Sequence, residues 1–351
     1  MTAPGAAAAA AVATAGGKAS APVAVLVITH DAAGDLPGCL AAVSALDPAP
    51  AELLVIDCAS GDASVEIARR HFPAGLAGDV VALPENLGFA GGTNAALARS
   101  AAPWALTLNA DARPEPDYLA RLLARAAAHP ELRIGAITGR LLRPLEPGRG
   151  DARLLDACGM RLSPFWRHFD RGSGEPDRGQ LGRPQRVFGG TGAATIFRRA
   201  ALEDVAVDGE VFDPRFHSFR EDAELCFRLR ERRWEVLYEP AARCEHRRGV
   251  LPSRRRLLSA YANYHSLKNR YLLRLYHQTV GNLAWTFPLA LLRDLQALAW
   301  VLLAERSSLP AYSWLWRRRG ELLARRRAIQ GRRTAGWWEV ERWFWTRGID
   351  L

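Results

Sequence analysis

Between residues 23 and 111 the chain repeats one pattern. An apolar, largely β-branched run ends abruptly in polar residues, and a stretch of helical composition follows. VAVLVIT (23–29) is continuous enough to be a strand buried on both faces, with a helix expected over about 36–46. LLVIDCAS (53–60), DVVAL (79–83) and residues 104–108 read as three further strands, with helices over 62–71, 91–101 and about 116–128. This alternation restricts the fold to α/β: a doubly wound, mostly parallel sheet with flanking helices. Ligands of such sheets bind beyond the carboxyl ends of the strands. Thr29, His30, Asp57, Ser60, Asn86, Asn109 and Asp111 collect there.

The rest of the 351-residue chain changes character twice. Residues 143–188 are rich in Gly, Pro and Arg and read as a long loop or lobe over the sheet. FGGTGAATIFRRAAL (188–202) is a glycine loop, a short strand and a helix. FDPRFHSFREDAELCFRLRERRW (212–234) holds an acidic pair ahead of an amphipathic helix, and WEVLYEP (234–240) is another strand, ending near His246. Residues 254–277 read as a helix carrying four tyrosines. Residues 279–304 are apolar but contain Pro288, Arg293 and Asp294. A charge at a bilayer centre costs about 2.5–3.5 kcal/mol, so an interfacial segment or a re-entrant hairpin suits this run better than a simple span.

Net charge decides what kind of partner to expect. At +10, with a pI near 9.9, the chain favours anionic ligands or surfaces. Residues 317–333 contain eight arginines, and six of the eleven tryptophans follow residue 313. Arg interleaved with Trp suits a lipid headgroup region better than nucleic acid, so no nucleic-acid partner is expected. Five scattered cysteines without a Cys-x-x-Cys pair read as reduced thiols. The Ala/Gly-rich residues 1–21 read as a disordered leader.

Five motifs carry chemistry, each with a plainer alternative. Asp57 can accept a hydrogen bond from a nucleobase or ribose, or hold a turn with Ser60. ENLGFAGGTNAAL (85–97) has glycines 88, 91 and 92 ahead of a helix, which lets backbone approach a ligand. It matches neither G-x-G-x-x-G nor a P-loop, and a tight connection with Asn86 and Asn94 bonding backbone is the alternative. In LNADARPEP (108–116), Asp111 suits a hard divalent cation, Mg or Mn, completed by substrate phosphates, though the following prolines also make a turn. Glu221 and Asp222 can supply a general base, or simply favour a helix N-terminus. His246 alone is structural unless a metal lies near.

Taken in order, VLVITH, VIDCASGDAS, NLGFAGGTN, LNADARPEP, LLDACGMRL, GGTGAATIFRRAAL, FDPRFHSFREDAELCFRLRERRW and EPAARCEH resemble the family 2 glycosyltransferases of the GT-A fold, in particular the rhamnosyltransferase-like branch. The resemblance covers roughly residues 23–250. It implies that Thr29 and Asp57 hold the base and ribose of a nucleotide, and that Asn86, Gly88 and Asn94 shape the floor beneath. Asn109 and Asp111 occupy the family's Asp-x-Asp position, with Asp111 a metal ligand and His246 a further one. Gly189, Gly190, Thr191 and Gly192 form a loop near donor and acceptor, with Asp222 the catalytic base and Glu221 beside it positioning acceptor or sugar. His30 and Cys58 depart from the family's commoner residues.

The expectation is a metal-dependent, inverting glycosyltransferase. It would move a sugar, rhamnosyl for this branch, from a nucleotide-diphosphate sugar to a saccharide or polyprenyl-diphosphate-linked acceptor in cell-wall or surface-polysaccharide synthesis. Its expected layout is a catalytic domain over 22–250, with a nucleotide half over 22–142 and an acceptor half over 143–250. A basic, Trp-rich helical tail over 251–351 would rest on an anionic membrane at its cytoplasmic face. Two rivals fare worse. A sugar-nucleotide pyrophosphorylase carries a basic glycine-rich loop after its first strand, where this chain has ITHDAAGDLP. A non-catalytic sugar-binding module needs no acidic pair.

Overall fold

The computed structural model describes residues 20–145, 153–248 and 259–351. Most of the expected leader (1–21) and the start of the helix expected over 254–277 lie outside the described residues. The first half is the anticipated alternation: β1 (Ala21–Thr29), α1 (Leu36–Ser44), β2 (Pro50–Asp57), α2 (Ser64–His71), β3 (Gly78–Ala82), α3 (Gly88–Leu97) and β4 (Trp104–Asn109). These four strands pair in parallel in the order β3-β2-β1-β4. The side chains of β1 divide by period two between two cores. Val23, Val25 and Val27 pack with Leu36, Leu40 and Val43 of α1. Ala24, Leu26 and Ile28 pack with Ala90, Ala96 and Leu97 of α3. Burying each Val or Leu contributes about 1.5–3 kcal/mol, so a strand apolar on both faces is stable only at the centre of the sheet.

The chain continues through β5 (Ala112–Pro114), α4 (Tyr118–Ala127), β6 (Ile134–Leu142), β7 (Leu155–Ala157), β8 (Met160–Ser163), β9 (Arg167–Asp170) and β10 (Gln185–Arg186). After these come β11 (Ala194–Arg198), α5 (Arg199–Val205), α6 (Glu221–Glu231) and β12 (Glu235–His246). β11 enters antiparallel between β4 and β6, and β12 runs parallel to β6. Residues 143–188, expected as a loop or lobe, thus supply four short strands: β8 and β9 pair with each other, while β7 and β10 join the main sheet. β12 carries an irregularity between Glu239 and Arg243. Pro240 lies inside it and has no N–H to give the ladder. Beyond the irregularity the strand also meets β5, and His246 lands opposite Ala112, next to Asp111.

The C-terminal part contains α7 (Ala260–His277), α8 (Val280–Leu303), α9 (Pro310–Arg317), α10 (Arg319–Gly331), α11 (Trp337–Glu341) and β13 (Ile349–Asp350). The apolar run is one continuous helix of 24 residues, not a re-entrant hairpin. Its mid-run acid is drawn inward, because Asp294 pairs with Arg270 at 2.6 Å and Arg274 at 2.5 Å on α7. Leu283, Phe287, Leu291, Leu295 and Leu298 remain exposed at helical spacing. α8 is the one described helix long and apolar enough to cross a membrane. The arginine run is also less free than its composition suggests. Arg325 is buried against Asp208 (3.1 Å), Glu210 (3.3 Å) and Asp213 (3.5 Å). β13 closes the edge of the main sheet by pairing with β10.

Candidate active site

Two adjoining cavities open beyond the strand ends. One, of about 370 Å³, is bordered by Thr29, His30, Asn86, Gly88 and Tyr261. The other, of about 510 Å³, is bordered by Asn109, Asp111, Gly192, Glu221, Asp222 and His246. Phe89, Ser218 and Phe219 form a shared wall.

In the first cavity, the Thr29 hydroxyl is buried without a partner, which leaves it a hydrogen bond to give. His30 Nδ1 lies 2.9 Å from the Cys58 carbonyl and donates to it. The Asn86 side-chain oxygen accepts the Gly88 N–H at 2.8 Å. Gly88 has φ +65°, and a Cβ there would meet His217 Nδ1 at 2.3 Å, so no larger residue fits. Asp57 does not border the cavity. Its two oxygens accept the backbone N–H (2.9 Å) and hydroxyl (2.5 Å) of Ser60, and only 1% of the residue is exposed. Asn94 also stands behind the wall, its amide bonded both ways to the Phe212 backbone at 2.7 and 2.9 Å. For these two residues the geometry is that of the plainer alternative read from the sequence.

The second cavity gathers charge. Asp111 Oδ1 is 3.2 Å from His246 Nε2, and His246 Nδ1 is 2.7 Å from Asp156 Oδ2. The Asn109 amide lies 3.3 Å from the same Nε2. Asp156 also forms an ion pair with Arg248, whose Nε lies 2.8 Å from Oδ1. Burial works against a charged imidazole, but the hydrogen bonds and charges of Asp111 and Asp156 outweigh it and push His246 up to about 9. Asp111 is held below the usual carboxylate range: burial opposes this, and the His246 hydrogen bond and charge prevail. A carboxylate oxygen and an imidazole nitrogen facing one cavity, with a second carboxylate on the far imidazole nitrogen, is a donor set that fits a divalent cation in place of the proton. Among the described residues no group of three or more His, Cys, Asp or Glu forms a complete cage.

The acidic pair opens α6. Arg220 before it has φ +72°, and His217 and Phe219 also have positive φ. Such backbone costs about 1–3 kcal/mol per residue and persists only when its surroundings enforce it. Here α7 does so. The fully buried Asn269 amide points at the carbonyls of Phe216 (2.8 Å), Ser218 (2.8 Å) and Phe219 (2.7 Å). His217 is held between the Tyr261 hydroxyl (2.6 Å) and the Asn86 carbonyl (3.0 Å). Asp222 accepts the N–H of Gly192 at 3.1 Å and of Ala223 at 2.7 Å. Burial raises its pKa, the Gly192 N–H opposes, and the Asp170 charge adds to the rise. Glu221 is 7% exposed with one oxygen unpartnered, and burial together with the Asp222 charge holds it well above the usual range.

Of the glycine loop, Thr191 and Gly192 border the cavity. Gly189 and Gly190 do not border it; a Cβ on Gly190 would meet Thr195 Oγ1 at 2.6 Å. Asp156, His217 and Asn269 have no expectation from the sequence. Asp156 lies in the quoted LLDACGMRL, but its partner is 90 residues away. Asn269 sits in the helix read as part of the tail, and that helix also sends Ala262 and Ser266 into the second cavity.

A family model described as glycosyl transferase family 2 matches residues 24–206, more than half of the chain. The chain belongs to that family. No curated protein matches it in sequence. Among solved structures it is similar to the mannosyltransferase PcManGT from Pyrobaculum calidifontis in complex with GDP-Man and Mn2+. That likeness is 18% identity over 89% of this chain and 85% of the other, with a TM-score of 0.51. S. aureus TarS 1-349 in complex with UDP-GlcNAc is 15% identical over 88% of this chain and 90% of the other, TM-score 0.50. GalNAc-T7 with UDP, GalNAc and Mn2+ is 15% identical over 72% of this chain but only 47% of the other, TM-score 0.54. The GT-A fold expected from the motifs is the fold of these structures.

Proposed function

We propose that this glycosyltransferase is inverting and divalent-cation dependent, using a nucleotide-diphosphate sugar as donor. The observation that carries the reading is the pair of adjoining cavities. One presents Thr29, His30, Asn86 and Gly88 to a nucleoside, and the other holds Asp111 and His246 with Asp222. The nucleotides, sugars and Mn2+ held by the similar structures support it.

Asp111 and His246 would hold Mg²⁺ or Mn²⁺, with diphosphate oxygens completing its shell. When bound, the cation supplies charge neutralisation for a departing nucleoside diphosphate. Asp156 fixes the His246 ring so that Nε2 faces the cavity. Asp222, its oxygens steered by two backbone N–H groups, takes the proton of an acceptor hydroxyl, which attacks the anomeric carbon from the face opposite the leaving group. Glu221 beside it positions the acceptor or the sugar. Asp57 and Asn94 contribute by keeping the nucleotide wall in shape.

The acceptor proposed is a saccharide or a polyprenyl-diphosphate-linked saccharide, met by a protein peripheral on the cytoplasmic face of an anionic membrane. Rhamnosyl is the sugar that the motif resemblance favours, and cell-wall or surface-polysaccharide synthesis the setting. The test is a panel of nucleotide-linked sugars, nucleotide-linked rhamnose among them, read by nucleoside diphosphate release with and without Mn²⁺. Cation-stimulated release from at least one donor supports the reading, and none from any donor, with or without acceptor, defeats it.

Two further results are expected. Asp156→Asn should weaken the apparent Mn²⁺ affinity by roughly 10–100-fold while leaving kcat at saturating Mn²⁺ nearly intact, since it orients a ligand without being one. A metal titration of initial rates checks this. Asn269→Ala should release the left-handed loop that precedes the acidic pair. A small misplacement of the base lowers kcat on the order of 10²-fold. The donor KM should change far less, and Asn269→Gln should restore part of the loss. Equal loss in a variant that no longer melts cooperatively would mark the residue as merely structural.

A further inference from the structure

A further cavity lies away from the strand ends. It is a cleft of about 610 Å³ among α7, α8, α9 and α10. Its walls follow helical spacing: Tyr271, Arg274 and Leu275 of α7 and Gln278, which caps it, stand at i, i+3, i+4 and i+7. Arg319, Leu322, Leu323 and Arg326 of α10 stand at the same offsets. Each wall therefore offers apolar side chains with arginine beside them. Leu283 of α8 and the exposed Trp316 of α9 complete it.

The charge at this cleft is one-sided. Its single acid, Asp294, is engaged by Arg270 and Arg274. Arg319 donates to the Trp316 carbonyl, and Arg326 to the carbonyls of Leu275 and Gln278. Neither makes an ion pair with a described carboxylate. The cleft is continuous through Leu283 with the exposed apolar row of α8, Phe287, Leu291, Leu295 and Leu298. An amphiphile with one anionic head and a hydrocarbon chain matches these walls, the chain against the leucines and the head against Arg319 and Arg326.

We infer that this cleft binds an acyl chain of an anionic bilayer phospholipid, docking the enzyme by a seated lipid and not by α8 alone. The inference rests on the membrane-surface part of the reading above, and its test does not use turnover. Vesicles of phosphatidylglycerol bearing a photoreactive acyl chain are irradiated with the full chain, and labelled residues are mapped by mass spectrometry. Labels are expected on Leu275, Leu283 and Leu323, and not with phosphatidylcholine vesicles. Arg319→Gln with Arg326→Gln should weaken partition into phosphatidylglycerol vesicles roughly thirtyfold, each basic contact giving about fivefold. Leu323→Glu, at an exposed position, should abolish cleft labelling while circular dichroism is unchanged. Three results overturn the inference: labels confined to Phe287, Leu291 and Leu295; equal labelling by the neutral lipid; or displacement of the label by a polyprenyl phosphate but not by excess phosphatidylglycerol, which would give the cleft to the acceptor. Donor-panel activity is scored separately, so a failed cleft and a failed glycosyltransferase reading give different outcomes.

Discussion

Asp222→Asn is expected to lower kcat by about 10²–10⁴-fold, the range spanned by a positioned general base, with nucleoside diphosphate binding unchanged. Each carboxylate oxygen of Asp222 accepts a backbone N–H, from Gly192 and from Ala223. An amide keeps one of those bonds and turns an N–H₂ towards the other donor, which costs about 1–3 kcal/mol. A modest fall in Tm therefore accompanies the variant, and calorimetry separates it from the loss of turnover. The wild-type pH profile is a second check. Burial and Asp170 raise the Asp222 pKa, with the Gly192 N–H opposing. The base works deprotonated, so kcat/KM should fall with decreasing pH at a pH above the ordinary aspartate range, and this acid limb should vanish from the residual activity of Asp222→Asn. Retained wild-type turnover in that variant would mean that the base lies elsewhere.

Asp111→Ala is expected to cost at least about 10²-fold in cation-stimulated turnover, the scale of losing one preorganised electrostatic contact to a developing charge. The variant leaves His246 bonded to Asp156 but faces the cavity with one donor atom fewer. Excess Mn²⁺ should recover little, because the remaining imidazole binds a hard cation without an anionic oxygen beside it. Asn109→Asp is the contrasting variant. Its amide sits 3.3 Å from His246 Nε2, and a carboxylate there adds to the charge around the same nitrogen. Near-normal activity is expected. Initial rates against Mn²⁺ concentration for both variants check the pair, and full activity in Asp111→Ala would remove that residue from the site.

What the sequence makes legible here follows from where its information is local. β1, β2, β3 and β4 are β-branched or apolar runs ending in polar residues, and their order follows from the helices between them. β6 is fully buried yet gives a weak signal, since IGAITGRLL holds two glycines and an arginine. Arg140 is tolerated there only because Asp177 (2.9 Å) and the Leu181 carbonyl (3.0 Å) reach it from a distant segment. The same holds in the site. Asp111, Asp222 and His246 stand in motifs whose spacing can be read. Asp156 matters through a partner 90 residues away and Asn269 through a loop 50 residues away. No periodicity encodes either. Composition alone is weakest at the C-terminus. The arginines that suggest a headgroup surface include Arg325, turned inward onto Asp208, Glu210 and Asp213.

In the proposed mechanism Asp111 and His246 hold a cation for the donor's diphosphate, while Asp222 handles only the acceptor's proton. Calorimetric titration of nucleoside diphosphate, with and without Mn²⁺, into the wild type, Asp111→Ala and Asp222→Asn tests it most directly. The prediction is Mn²⁺-enhanced binding in the wild type, unchanged in Asp222→Asn and absent in Asp111→Ala. Equal Mn²⁺ enhancement in Asp111→Ala and the wild type would contradict it.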